Sequence, residues 1–108
     1  MKRGELWWAA LDKRRPVLLL SRDEAYAVRQ RFVVAPLSTS IRGYSAEVRV
    51  GRAEGLPKKC VVNCDWLMTI SKPRLERRIS ELTRTKMEAV DEILLFALGL
   101  DAYALGRM

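Results

Sequence analysis

Two arginines and a group of hydroxyl residues are the side chains of this sequence best suited to chemistry on a phosphate. Arg14 and Arg15 come immediately before an apolar run at residues 16–20, which Ser21 closes. A guanidinium keeps its charge at any working pH and offers several hydrogen-bond donors in a fixed fork. Hydroxyl residues at 38–40 follow a second apolar run at residues 31–37. They could contact the same phosphate, although hydroxyls directly after a buried strand more often bond to nearby backbone in a turn.

The residue types that the chain lacks limit the reactions it can catalyse. The sequence contains no histidine, which excludes a two-histidine ribonuclease mechanism and a serine–histidine triad. It also has no glycine-rich phosphate loop and no dinucleotide-binding fingerprint. The remaining arginine, lysine, carboxylate and hydroxyl groups suit RNA cleavage, because RNA carries its own nucleophile, the 2′-OH. Each fixed donor to the phosphoryl oxygens can lower the barrier by about 3 kcal/mol.

Composition and charge indicate one small basic domain. The 108 residues include 20 lysines and arginines against 13 acidic residues, which gives a net charge of +7. That length fits a single domain over residues 1–108. The basic balance favours nucleic acid, a membrane surface or an acidic protein as partner. Because neither a signal peptide nor a membrane-spanning apolar run is recognisable, we expect a cytoplasmic protein with no membrane partner.

The two cysteines are expected to be reduced and buried. Cys60 and Cys64 lie in one strand-like run. Four residues of extended strand span roughly 13 Å, and a disulfide needs Cα atoms within about 7 Å. A zinc site would require carboxylates as further ligands, since histidine is absent. We therefore expect no metal site and no cofactor.

Short strands would position these residues. Apolar or alternating runs predict strands at residues 4–11, 16–21, 31–37, 46–50 and 60–70, with a helical turn or loop at 22–30 and a strand or helical turn at 75–79. Pro16 suits the first residue of its strand, and Pro36 should end regular pairing. Trp7 and Trp8 are neighbours and face opposite ways, so one should pack inside and the other face a groove or a partner chain.

A helix is predicted near the end of the sequence. Its core face would consist of apolar residues at helical spacing: Met87, Val90, Leu94, Ala97 and Leu98. Thr83 or Thr85 can cap it, Thr85 and Glu88 have capping-box spacing, and Gly99 is a plausible stop. Further apolar side chains at residues 95, 96 and 100 hint at an oligomer contact. Five or six strands followed by one helix predict an α+β fold, mainly β, built as a strongly bent antiparallel sheet or a partly open barrel.

Five segments in the same order resemble the motifs of MazF/PemK toxins. Residues 2–8 (KRGELWW) resemble the opening R-G-E-[IV]-[WY]-W motif, and residues 15–21 (RPVLLLS) resemble the R-P-V-L-[VI]-[LI]-S strand. Residues 34–42 (VAPLSTSIR) are similar to the V-A-P-[LI]-[TS]-[TS] segment. Residues 55–58, residues 75–79 and the Val90-Asp91 helix also fit. The resemblance extends over essentially the whole chain.

This resemblance implies an SH3-like small antiparallel barrel with a C-terminal helix, acting as a homodimer. It implies a toxin of a type II toxin–antitoxin system that inhibits translation and growth. Such toxins cleave single-stranded RNA at short preferred sequences without a metal, leaving a 2′,3′-cyclic phosphate and a 5′-OH. The substrate would be mRNA, or a loop of tRNA or rRNA. The cognate antitoxin, typically acidic in its C-terminal part, would wrap the dimer and block the RNA groove.

The resemblance also implies roles for individual residues. Arg15 would stabilise phosphoryl charge, and Ser38, which aligns with the family's active-site threonine, would contact the scissile phosphate. The further candidates for RNA contact are Lys13, Arg14, Ser21, Thr39, Ser40, Asp65 and Trp66. The general base is left open, with Asp12, Asp23 and Glu24 merely nearby in sequence.

The sequence departs from the family pattern in three places. Only residues 12–14 stand where relatives usually have a longer glycine-containing loop that helps to gate the groove. The family's D-Q-[IV]-R-T segment reads DWLMT at residues 65–69, so Trp66 and Met68 replace a glutamine and an arginine. Serine at position 38 replaces the commoner threonine and keeps the hydroxyl. Trp66 could stack on a base, or it could belong to the core or to a dimer interface.

Two other classes of function compete with an endoribonuclease. A toxin on the same scaffold could poison a protein such as gyrase, as one relative does through a final Trp-Gly-Ile. This chain ends Leu105-Gly106-Arg107-Met108 and lacks that tryptophan. A non-catalytic RNA-binding barrel would explain the basic charge, but it gives no reason for Arg15 and Ser38 to occur together.

Overall fold

The computed structural model describes residues 1–101, in which seven strands and two helices alternate with short turns. The strands are β1 (Glu5–Ala10), β2 (Arg14–Leu19), β3 (Arg31–Ser38), β4 (Glu47–Val50), β5 (Cys60–Asn63), β6 (Met68–Ser71) and β7 (Leu75–Glu81). The helices are α1 (Ala25–Val28) and α2 (Arg84–Ala97), and single 3₁₀ turns occupy Arg52–Glu54 and Lys72–Arg74. The final residues 105–108, which bear on the comparison with the gyrase poison, lie outside the described part.

All seven strands pair antiparallel in one bent sheet. Their order is β4-β5-β3-β2-β1-β7, and β6 pairs with β3 beside this path. The sheet is not closed, because β4 and β7 each pair on one side only. This arrangement, with α2 packed against it, confirms the predicted α+β fold with its partly open barrel. Residues 75–81 form the sixth strand that the sequence left open, and the division of residues 60–70 into β5 and β6 brings the described chain to seven strands.

The strand β3 continues through Pro36, which the sequence analysis expected to end regular pairing. Pro36 pairs with Val17 of β2. On its other edge, β3 pairs with β6 up to Val34 and with β5 from Leu37 onward. Pro36 therefore lies where β3 changes partner, and a residue without an N–H interrupts no continuous ladder there. The prediction that pairing ends at Pro36 holds for the edge that faces β2, where Val17 and Pro36 are the last pair, and is wrong for the other edge, where β3 continues with β5.

A single strand over residues 60–70 was also predicted, and this was wrong. Asn63 ends β5, and its side-chain oxygen accepts a hydrogen bond from the backbone N–H of Asp65 at 2.9 Å. Its carbonyl oxygen accepts another from the N–H of Trp66 at 3.0 Å. Asparagine favours such turns because its side chain bonds to backbone two residues on. The chain reverses here, and β6 begins only at Met68.

The bent sheet buries side chains on both of its faces. One cluster lies under α2 and includes Leu6, Leu18, Leu37, Val62 and Val90. The other includes Val17, Leu19, Tyr26, Phe32 and Ile70. Val90 is the residue of α2 that is fully buried, while the predicted core residue Leu98 is 56% exposed. In the described residues no helix combines the length and the apolar character that crossing a membrane requires.

Trp7 and Trp8 face opposite sides of β1, as predicted. Trp7 packs against the cluster around Val17, and its indole N–H donates to Oε1 of buried Glu5 at 2.9 Å. Arg78 of β7 donates to the other oxygen of Glu5 at 3.1 Å. Burial raises the pKa of Glu5, but the hydrogen bonds from Trp7 and Arg78 outweigh it, so this pKa lies below its usual value. Trp8 instead lines a surface groove.

The ends of α2 partly follow the sequence signals. Thr83 is the N-cap, and its hydroxyl oxygen accepts a hydrogen bond from the N–H of Lys86 at 3.2 Å. Thr85 lies inside the first turn, so the capping box with Glu88 does not form. Gly99 follows the last residues of the helix with φ of +72°, a left-handed conformation that glycine adopts readily.

Candidate functional site

Arg15 is held on three sides at the start of β2. Its Nη2 donates to Oδ2 of Asp12 at 3.0 Å, and its Nε donates to Oδ1 of the same carboxylate at 3.4 Å. Its Nη1 donates to the carbonyl oxygen of Leu37 at 3.1 Å. The face of the guanidinium lies 5.1 Å from the ring centroid of Trp66. With its side chain only 13% exposed, Arg15 offers a cation whose orientation is fixed in advance.

The pairing of β2 with β3 brings Ser38 opposite Arg15. The last paired residues are Val17 and Pro36, and continuing this antiparallel register by two residues sets position 38 across from position 15. Directly opposed residues point to the same face of a sheet. The hydrogen bond from Arg15 to the carbonyl of Leu37 ties the guanidinium to the residue just before Ser38. The two predicted catalytic residues therefore lie on adjacent strands, and the guanidinium of Arg15 bonds to the residue next to Ser38.

The hydroxyl of Ser38 already has a role in the local backbone. Its oxygen accepts a hydrogen bond from the N–H of Ser40 at 3.1 Å. This is the turn chemistry that the sequence analysis set against a phosphate contact. The bond uses the oxygen as acceptor and leaves the hydroxyl proton available for donation. Thr39 and Ser40 are exposed beyond the end of β3.

Asp12 lies in the three-residue connection between β1 and β2. The N–H of Leu11 donates to the carbonyl oxygen of Lys13 at 3.0 Å, which closes this tight hairpin. The hydrogen bond from Arg15 holds the pKa of Asp12 below its usual value. Of the three carboxylates near the site in sequence, Asp12 alone contacts Arg15 among residues 1–101. Asp23 accepts instead from the N–H of Arg3 at 2.7 Å, at the other end of β2.

A groove of about 210 Å³ opens beside Arg15. We call it the Trp8 groove, and its lining includes Trp8, Lys13, Arg14, Arg15, Thr39 and Lys58. Arg14 lies over the ring of Trp8, 5.2 Å from its centroid, and forms an exposed ion pair with Glu76 at 2.9 Å. The groove thus unites three of the predicted RNA contacts with a tryptophan and a lysine that the sequence analysis did not select.

A second groove, of about 530 Å³, lies on the other side of the hairpin. We call it the Asp12 groove, and its lining includes Asp12, Arg31, Met68, Thr69 and Arg74. Arg74 donates to the carbonyl oxygen of Ala10 at 3.0 Å. Sequence analysis missed Arg31 and Arg74, because only the pairing of β3 with β6 brings these distant segments to the hairpin. Arg15 therefore lies between two grooves that each carry positive charge.

Two of the predicted contact residues, Ser21 and Asp65, line neither the Trp8 groove nor the Asp12 groove. Ser21 is at the opposite end of β2 from Arg15, and its hydroxyl oxygen accepts from the N–H of Val33 at 2.9 Å. Asp65 is exposed in the turn before Trp66, and its backbone N–H donates to Oδ1 of Asn63. Trp66 itself is 37% exposed, and Arg15 covers one face of its ring. Within residues 1–101, no three cysteine or carboxylate side chains come together as a metal site.

An apolar groove of about 560 Å³ separates the end of β2 from α2. We call it the α2 groove, and its apolar lining is Leu20, Val33, Leu67, Leu94, Leu95, Leu98 and Leu100. Several side chains here are far from buried: Val33 is 40% exposed, Leu98 56% and Leu100 45%. Arg3 and Asp91 form an ion pair at its rim, 2.7 Å apart. Such a contiguous apolar patch on a small protein typically marks an interaction surface.

Comparisons with known proteins identify the relatives of this chain. Residues 2–98 match the family model described as PemK-like, MazF-like toxin of type II toxin–antitoxin system. Endoribonuclease MazF3 of Mycobacterium tuberculosis H37Rv is 39% identical over 93 residues, which are 86% of this chain and 90% of the relative. The structure of M. tuberculosis toxin MazF-mt6 superposes with a TM-score of 0.85 at 36% identity, covering 89% of this chain and 97% of that one. A mycobacterial endoribonuclease in complex with its cognate antitoxin has a TM-score of 0.84 at 27% identity, covering 93% and 96%.

Proposed function

This chain belongs to the PemK-like, MazF-like family of type II toxin–antitoxin toxins, and from that membership we infer that it is an endoribonuclease toxin. Relatives that match most of its length are named endoribonucleases. The substrate we propose is single-stranded RNA, chiefly mRNA, whose cleavage would inhibit translation and growth. The family match over residues 2–98 supports a single toxin domain spanning residues 1–108. Reduced, buried Cys60 and Cys64 suit the cytoplasm, where we place the protein.

The reaction we propose is attack of a ribose 2′-OH on the adjacent phosphorus. The new O2′–P bond forms as the P–O5′ bond breaks, the 2′-OH loses its proton, and the leaving O5′ gains one. The products are a 2′,3′-cyclic phosphate and a 5′-OH. Negative charge grows on the phosphoryl oxygens in the transition state, so a fixed cation and fixed donors there lower the barrier. Arginine and hydroxyl groups supply both, and we therefore expect cleavage to proceed in EDTA.

One observation carries this proposal: the guanidinium of Arg15 is oriented by Asp12, Leu37 and Trp66 before any substrate binds. Pre-oriented charge is the form of electrostatic stabilisation that contributes most to catalysis, because nothing has to reorganise at the moment of reaction. Arg15 would stabilise the phosphoryl charge, and the hydroxyl of Ser38, on the adjacent strand, would donate to a phosphoryl oxygen. With its lowered pKa, Asp12 is a weak proton acceptor, so we assign it to holding Arg15.

The two grooves beside Arg15 suit nucleotides on either side of the scissile phosphate. In the Trp8 groove, Lys13, Arg14, Lys58 and Thr39 would contact the RNA backbone. Thr69 and the two arginines of the Asp12 groove would do so on the other side. We also propose RNA contacts for Trp66, which touches Arg15, and for the exposed Ser40 and Asp65. Ser21 lies at the far end of β2, where it would contact RNA only if a strand extended over the α2 groove.

The partners we propose are a second copy of this chain and a cognate antitoxin. The α2 groove supports the homodimer, because its exposed leucines offer the apolar surface that stable dimers bury. The net charge of +7 supports an antitoxin with an acidic segment. A related mycobacterial endoribonuclease forms such a complex with its cognate antitoxin.

The decisive experiment is cleavage of total RNA in EDTA by the purified protein, with Arg15→Ala as comparison. New 5′ ends are mapped by sequencing, and a kinase assay distinguishes 5′-OH from 5′-phosphate ends. We expect discrete cuts with 5′-OH ends, and a rate about 100- to 1,000-fold lower in Arg15→Ala, as for loss of one transition-state donor.

The control is Arg29→Ala, which removes an exposed arginine at the end of α1, and it should cleave like the unmodified protein. Intact RNA from folded protein across several RNA classes would refute the proposal. A gyrase supercoiling assay and an RNA-binding assay would then separate the protein-directed poison from the non-catalytic binding barrel.

A further inference from the structure

A strongly basic groove lies next to the Trp8 groove and has no part in the cleavage chemistry. Its volume is about 350 Å³, and four cationic residues line it: Arg49, Arg52, Lys59 and Lys86. It is formed by β4, the 3₁₀ turn at Arg52–Glu54, the start of β5 and the first turns of α2. We call it the basic groove.

Within residues 1–101, the cations of this groove form no ion pairs, and they outnumber its one carboxylate by four to one. Among the described residues, none of the four has a carboxylate oxygen within ion-pair distance. The one carboxylate that lines the groove belongs to Glu54, and its Oε1 accepts a hydrogen bond from the N–H of Gly51 at 2.6 Å. Nζ of Lys86 donates to the carbonyl oxygen of Arg49 at 3.0 Å, which fixes the ammonium group at the groove. Four uncompensated cations so close together favour a polyanion.

The basic groove is continuous with the candidate active site. Cys60 lines both the basic groove and the Trp8 groove, and the neighbouring residues Lys58 and Lys59 line one each. A strand of RNA that leaves Arg15 through the Trp8 groove therefore meets these cations next. None of the described residues that line the groove is aromatic, so these residues offer no platform on which bases stack, and their cations suit phosphates of any sequence.

From this charge and continuity, and resting on the proposed ribonuclease function, we propose that the basic groove binds the backbone of RNA beyond the cleavage site. It would hold phosphates of the nucleotides that flank the cleavage motif on one side. The groove adds affinity without adding sequence preference, because phosphate contacts position a nucleic acid but do not read its bases. Long RNAs would therefore be bound more tightly than the short motif alone.

The test measures binding of RNAs that carry the mapped cleavage sequence with a 2′-deoxy group at the scissile nucleotide, which prevents cleavage. One RNA contains the motif alone, and two others add six nucleotides to its 5′ or its 3′ side. The variant is Arg49→Gln/Arg52→Gln/Lys59→Gln, which leaves the hydrogen-bonded Lys86 in place. The control is Arg29→Gln/Lys72→Gln/Arg77→Gln, which removes the same charge from exposed positions outside the Trp8, Asp12 and basic grooves.

We expect an extension on one side to tighten binding in the unmodified protein and the control, and not in the groove variant. The slope of log affinity against log salt should fall by about 2 in the variant on the extended RNA, since each phosphate contact on a single strand contributes about 0.7. The deoxy motif alone should bind all three proteins similarly, and the same motif with an intact 2′-OH should be cleaved by them at similar rates.

An equal gain from the extension in the groove variant would overturn the proposal, as would no gain on either side. A variant that loses only the binding of an acidic peptide, such as poly-glutamate, would assign the groove to a protein partner instead. Failure of the proposed function has a different signature, because the unmodified protein would then neither bind the deoxy motif alone nor cleave the same motif with an intact 2′-OH.

Discussion

Asp12 and a substrate phosphate compete for the same edge of Arg15. The carboxylate accepts from both Nε and Nη2, the pair of donors with which a guanidinium clasps a phosphate. Asp12→Asn should therefore bind the 2′-deoxy RNA several-fold more tightly, because a neutral amide competes less well and repels the backbone less. Fluorescence anisotropy would measure the change. Glu24→Gln, which removes an exposed carboxylate at the other end of β2, should leave the affinity unchanged.

The pH dependence of this difference follows from the pKa of Asp12. The hydrogen bond from Arg15 lowers that pKa from 3.8, so the carboxylate stays charged at every pH above its ordinary range. The affinity ratio between Asp12→Asn and the unmodified protein should thus be constant from about pH 5 to 8. It should shrink only as the pH falls through the lowered pKa and Asp12 becomes neutral. Weaker binding by Asp12→Asn would mean that the carboxylate helps Arg15 more than it competes.

Trp66 holds Arg15 through the face of its ring. A cation–π contact at an exposed site is worth about 0.5–1 kcal/mol, so Trp66→Ala should slow single-turnover cleavage about 2- to 5-fold at saturating RNA. Trp66→Phe keeps a ring and should retain most of the rate. Unchanged cleavage by Trp66→Ala would show that the ring is dispensable for orienting Arg15. Unchanged RNA affinity and cleavage-site choice in that variant would also refute a base-stacking role.

At the scale of the single element, the cap of α2 offers a direct comparison between two threonines. Thr83 accepts the capping hydrogen bond and Thr85 does not. Thr83→Ala should lower the free energy of unfolding by about 1 kcal/mol, whereas Thr85→Ala should change it by less than about 0.5 kcal/mol. Urea unfolding followed by circular dichroism, at one protein concentration, would measure both. Equal losses in the two variants would contradict the assigned cap.

Sequence signals located most elements because each depends on neighbouring residues. The turn before β2 and the glycine stop at Gly99 follow from local chemistry, and so does the strand around Pro16, although it begins at Arg14 and not at Pro16 as predicted. The signals failed at Pro36, where β5 and β6 both pair with one edge of β3. They also failed at Asn63, whose side chain forms a turn inside the predicted strand. The contact between Arg15 and Trp66 joins β2 to the turn between β5 and β6. Spacing along the sequence does not reveal such a contact, so Trp66 was predicted to contact RNA but not to contact Arg15.

At the scale of the whole molecule, the exposed side chains of α2 predict an assembly. Leu98 lines the α2 groove, Phe96 follows the groove-lining Leu95 in α2, and both Phe96 and Leu98 are more than half exposed. Phe96→Lys/Leu98→Lys should convert a dimer into a monomer, because two charges would have to be buried at the interface. Light scattering after size-exclusion chromatography would measure the mass. Val28→Lys changes a more exposed apolar residue, at 71%, and should leave the mass unaltered. A monomeric unmodified protein would refute the proposed homodimer.

The first and last strands of the sheet in chain order, β1 and β7, pair with each other, and Glu5 lies opposite Glu81. During synthesis on the ribosome, β1 emerges first and can pair with β2 as soon as the short hairpin is made. The other edge of β1 stays unpaired until β7 has been synthesised. Contacts between such distant segments form late and slowly. The sheet of a nascent chain therefore stays incomplete until nearly the whole message has been translated.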